Sequence, residues 1–127
     1  MRTYRVTVTR EESDWLGQCA EYPEAVDFAP TLKKLCEGMV DAIVLAADLP
    51  SGAKFNIQLE AGEGLSPELN VAFAIANRRL ELRAEQARLQ EATLHSIHVL
   101  REEGYSTRDI ASALGITAGR VSQLAGK

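Results

Sequence analysis

The chain has 127 residues, 46% apolar and 25% charged, with 14 basic and 18 acidic side chains and a formal net charge of −4. This composition excludes disordered, collagen-like and purely coiled-coil readings, and the length allows one ordinary domain or two very small ones. Taken over the whole chain, the acidic balance speaks against a nucleic-acid partner.

No run of about 18 apolar residues free of charge occurs, so no membrane span is expected. The most apolar window, Met39 to Leu49, is interrupted by Asp41 and Asp48. The N-terminus leads into alternating residues rather than an apolar signal core, and a cytoplasmic location is the expectation. Cys19 and Cys36 have neither a CxxC nor a Cys/His ligand spacing. They read as two reduced thiols.

Tyr4, Val6 and Val8 alternate with Arg5, Thr7 and Thr9, the period of a half-buried strand. After a polar turn from Glu11 to Asp14, Trp15 to Ala20 reads as a second strand. The Tyr22-Pro23 turn then leads to a short third strand over Ala25 to Phe28. An amphipathic helix follows, because Leu32, Leu35, Cys36, Met39, Val40, Ile43, Val44 and Ala47 repeat at i, i+3, i+4 and i+7. Thr31 serves as its N-cap and Pro50 as its stop. Phe55, Ile57 and Leu59 alternate as a fourth strand. A β-β-β-α-β order with one sheet face under one helix makes a compact α+β unit over residues 1–61.

Ala61-Gly62-Glu63-Gly64 is a flexible break, and Ser66-Pro67-Glu68 is a helix start. From there on only helical spacing appears, with Leu69, Phe73, Ala76, Leu80, Ala87 and Leu94 on one side. Arg78, Arg79, Glu81, Arg83, Glu85 and Arg88 occupy the other faces, as one long helix or two consecutive ones. Residues 66–127 form an all-α second domain. Residues 1–65 hold 6 basic and 11 acidic groups, net −5, and residues 66–127 hold 8 and 7, net +1. Leu80, Leu82 and Leu89 fit either core packing or part of an interface.

The run from Ser106 to Leu124 resembles a helix-turn-helix. Gly104 suits the left-handed end of the preceding helix, and Ser106 caps the next, with Asp109 three residues on. Ala111 is small where helices cross closely, and Gly115 suits a tight turn. Ile110, Leu114, Ile116, Val121 and Leu124 supply apolar pegs against Leu94, Ile97 and Leu100, and Thr117 caps a second helix. In such a motif the second helix enters the major groove of double-stranded DNA by its first residues. Thr117, Ala118, Gly119, Arg120, Ser122 and Gln123 are then candidate DNA contacts. Gln123 suits an adenine edge and Arg120 a guanine or a phosphate. Thr107, Arg108 and Lys127 suit phosphates. So few cations imply a dimer or higher homo-oligomer, such as a tetramer. His95 and His98 lack a third ligand nearby, so no metal site is expected, nor any cofactor.

The N-terminal half resembles the HicB-type antitoxin domain over roughly Tyr4 to Leu59. The resemblance rests on the opening strand, the segment Trp15-Leu16-Gly17-Gln18-Cys19-Ala20-Glu21-Tyr22-Pro23-Glu24-Ala25, the Thr31-Leu32 helix start and the closing strand. It implies a partial ribonuclease-H-like fold that does not cleave. That domain would mask a small ribonuclease toxin, basic where RNA lies, while the C-terminal unit represses the shared operon. No enzyme is expected, because Asp14, Glu21, Glu24 and Asp27 lie on turns rather than converging from strand interiors. Two alternatives stay open. One is a stand-alone regulator whose N-terminal domain senses a ligand or protein, and the other is an oligomerisation module with an idle helix-turn-helix.

Overall fold

A computed structural model describes residues 1–126. The elements run β1 (Thr3–Glu11), β2 (Asp14–Cys19), β3 (Val26–Ala29), α1 (Leu32–Ala46), β4 (Asn56–Ala61), α2 (Pro67–Glu102), α3 (Thr107–Leu114) and α4 (Ala118–Ala125). The mixed α+β region thus comes first and the helices follow. The long charged segment is one helix, α2. Its exposed middle is kept helical by good helix formers such as Ala84, Glu85, Gln86, Ala87 and Arg88.

The chain divides into two compact units, Met1–Leu80 and Glu81–Lys127. This differs from a boundary between 61 and 66, and the reason lies in packing. Leu65, Leu69 and Phe73 join the core of the first unit, and the Asn77 side chain donates to the Leu59 carbonyl at 3.0 Å. The first turns of α2 therefore belong with the sheet. Charge redistributes accordingly. Residues 1–80 hold 8 basic and 12 acidic groups, net −4, and residues 81–127 hold 6 of each.

In the first unit the sheet order is β3-β2-β1-β4. β1 pairs antiparallel with β2 and parallel with β4, with Val6 opposite both Cys19 and Leu59. Alternation sends Tyr4, Val6 and Val8 into the core, where they meet Leu35, Met39 and Ile43 of α1. Thr31 accepts from the Lys34 N–H at 3.2 Å and starts that helix as expected. Val40 and Leu45 flank its buried stripe and stay in solvent. Gly17 lets α1 approach, since a Cβ there would sit 3.1 Å from Val6 and 3.3 Å from Met39. Tyr4 stacks edge-on against Phe55 at 5.1 Å. Burying each large side chain contributes about 1.5–3 kcal/mol, so this cluster dominates the unit's stability.

The second unit has a much smaller core of Ile97, Ile110, Ala111, Val121 and Leu124, edged by Leu100, Leu114 and Ile116. Leu94, expected among the pegs, is 36% exposed, because the side of α2 turned to α3 and α4 runs through Thr93, Ile97 and Leu100 and Leu94 lies off it.

Candidate nucleic-acid interface

α3 and α4 are joined by only three residues, Gly115 to Thr117. Each end is closed by the chemistry its sequence supplies. The Ser106 hydroxyl accepts from the Asp109 N–H at 3.1 Å, and the Thr117 hydroxyl accepts from the Arg120 N–H at 3.0 Å. Gly115 ends α3 at φ 74°, and its N–H donates to the Ala111 carbonyl. Gly104 takes φ 94° after α2. Ile116 folds back, donating its N–H to the Ala111 carbonyl at 3.0 Å. The turn is therefore held by backbone bonds and one small buried side chain.

Helical geometry sorts the candidate contacts on α4. Val121 and Leu124 face the core, so at about 100° per residue Gly119, Ser122 and Gln123 lie on the opposite, outward side. All three are exposed. Ala118 is half-buried and packs on the core cluster, so it is less available than an outward position. Thr117 is exposed with its hydroxyl engaged in the cap.

Arg120 lies on the flank of α4. It borders a shallow groove with Gln86, Leu89, Gln90 and Thr93 of α2 and with Ile116 and Leu124. Its guanidinium reaches the Gln123 side-chain oxygen at 3.4 Å, a long contact that still places both groups at one spot. Sequence pattern alone does not single out Gln86, Gln90 and Thr93. Their i, i+4, i+7 spacing on a charged helix is the signal they carry. Thr107 is half-buried at the start of α3 and Arg108 is exposed beside it. Lys127 lies outside the described residues.

The four carboxylates weighed as a catalytic cluster do not converge. Glu21 accepts from the Arg5 backbone N–H and from its guanidinium, both at 2.9 Å. Burial works to raise the Glu21 pKa. The two bonds from Arg5 outweigh it and hold the carboxyl below its usual value. The same pairing raises the Arg5 pKa. Asp27 turns toward Gly38 of α1, and Asp14 sits opposite Glu11 at the hairpin end. Among the described residues no three His, Cys, Asp or Glu side chains are placed to hold a metal ion. Cys19 and Cys36 are free thiols, and burial together with Glu37 pushes the Cys36 pKa up. No helix is long and apolar enough to cross a membrane among the described residues. No protein-family model matches the chain, and no curated protein or solved structure matches it.

Proposed function

We propose that the chain is a HicB-like antitoxin, which masks a small ribonuclease toxin through its N-terminal unit and represses its own operon through α3 and α4. The observation that carries the DNA half of this reading is the capped α4. Its outward side offers Gly119, Ser122 and Gln123 beside Arg120, with no bulky apolar side chain in the way. Such a helix start fits the major groove, where Arg and Gln read base edges. The +1 expected for residues 66–127 falls to a neutral balance over 81–127, so one copy supplies little phosphate attraction. Affinity must then come from two or more copies on adjacent half-sites. The N-terminal unit, at net −4, suits a basic partner. The partial ribonuclease-H-like assignment of this unit belongs to the same proposal.

A gel-shift on the DNA upstream of the chain's own gene tests the reading. Retardation is expected, and replacing both Arg120 and Gln123 by Ala should weaken it by about tenfold or more, at about 1–3 kcal/mol per base-reading pair. Unchanged affinity in the double variant would remove the DNA half. Co-expression with the neighbouring reading frame tests the antitoxin half, where rescue from a toxic product is the expected result.

A further inference from the structure

One face of the sheet lies away from α1 and carries an apolar patch that the proposed DNA reading leaves unused. Register places Thr7, Gln18 and Val26 in one cross-strand row and Thr9, Leu16 and Phe28 in the next. Together they line a concavity of about 380 Å³. Phe28 is 69% exposed and Val26 57%, unusual for large apolar side chains on a strand.

β3 is also an edge strand. The Cys19 N–H donates to the Ala25 carbonyl at 3.0 Å. In an antiparallel ladder the hydrogen-bonded pairs alternate, so Asp27 and Ala29 bond inward like Ala25. The backbone N–H and C=O of Val26 and Phe28 consequently point out of the sheet. The two residues that expose apolar side chains are thus the two that offer a free strand edge. Such an edge invites another strand unless it is blocked by Pro, Lys or a bulge, and β3 reads Val-Asp-Phe-Ala.

Charge selects the occupant. Leu16 and Phe28 also border a second hollow with Glu11, Glu12 and Asp14 at the β1–β2 turn. No ion pair reaches these three carboxylates among the described residues. Arg5, on the same sheet face, is already tied to Glu21. A second copy of this unit would bring like charge to like charge. We infer that the β3 edge and the Leu16–Val26–Phe28 patch form the docking surface for an extended, basic protein segment, which adds as a strand and seats an apolar side chain over Phe28. The segment's membership in a toxin rests on the antitoxin reading, while the surface itself does not.

Two synthetic peptides test it on the full chain, Lys-Val-Lys-Phe-Lys-Val and the same peptide with Glu for Lys. Hydrogen exchange and amide chemical shifts report where each binds. The lysine peptide should slow exchange at Val26 and Phe28, and the glutamate peptide should not bind. Phe28→Asp should weaken the lysine peptide about tenfold or more with the circular dichroism unchanged, since Phe28 is outside the core. Glu11→Lys with Glu12→Lys should erase the preference between peptides. Equal binding of both peptides, protection elsewhere, or an unaffected Phe28→Asp variant would overturn the inference. So would concentration-dependent self-association abolished by Phe28→Asp, which assigns the edge to a second copy. If the peptide binds at β3 but the chain fails to neutralise the neighbouring gene's product, the antitoxin reading falls and the surface stands. Neutralisation undiminished by Phe28→Asp gives the reverse.

Discussion

Two glycines four residues apart should respond to the same substitution with opposite signs. Gly115 closes α3 at φ 74°, and a Cβ built there meets nothing within 4 Å. Gly115→Ala therefore adds no clash, and its whole cost is the left-handed backbone, about 1–2 kcal/mol for an L-residue. Gly119 sits inside α4 with helical backbone, and its Cβ would be 4.0 Å from the Thr117 hydroxyl and no nearer to anything else. Gly119→Ala should stabilise α4 by up to about 1 kcal/mol, less because it lies in the first turn. Exchange of the Ile110 and Val121 amides, which donate to Ser106 and Thr117 across the two helix starts, reads these changes directly. Protection should fall about 5- to 30-fold in Gly115→Ala and rise up to about fivefold in Gly119→Ala. The second variant also places a methyl on the outward face of α4, so under the proposed DNA-binding role affinity should drop while stability rises. A neutral Gly115→Ala, or a Gly119→Ala that loses protection, would refute the backbone argument.

Two further outcomes follow from the first unit. Met39→Ala removes a fully buried side chain from between α1 and the sheet, and denaturant unfolding should show a loss of about 2–5 kcal/mol. Glu21 is held below its ordinary pKa, so its contribution is complete above the unfolded value of 4.5 and fades as pH falls through the lower folded value. The stability gap between the natural chain and Glu21→Gln should accordingly be widest near neutrality and close in acid. A gap that widens on acidification would contradict the pairing with Arg5.

What could be read from the residues was mostly local. The caps Thr31, Ser106 and Thr117 and the turn glycine Gly115 act where the sequence places them, because each works within three or four residues. The buried stripe of α1 follows from spacing for the same reason. Non-local choices were harder to see. Around β3 both alternating sets hold apolar residues, Val26 and Phe28 against Ala29 and the preceding Ala25, so period alone does not say which side faces α1. Leu94 kept helical spacing yet stays largely outside the small core, since the place where α3 and α4 pack on α2 depends on the tertiary fit. Arg120 illustrates the same limit at the candidate interface. Its position in the motif suits a guanine or a phosphate, and only the packing of Val121 and Leu124 shows that it lies on the flank beside α2.

The parallel pairing of β1 with β4 also constrains how the chain acquires its shape. Thr3 lies opposite Asn56 and Val8 opposite Ala61, partners about fifty residues apart in the chain. Central strand β1 is therefore made before β4 and stays without one neighbour until β4 has followed, a loop closure that must be completed before those contacts form. The α3–α4 pair has no such wait, because all its contacts with each other lie within about twenty residues. The β4 segment is thus the step on which completion of a newly made sheet depends, while α3 and α4 can meet as soon as both have been made.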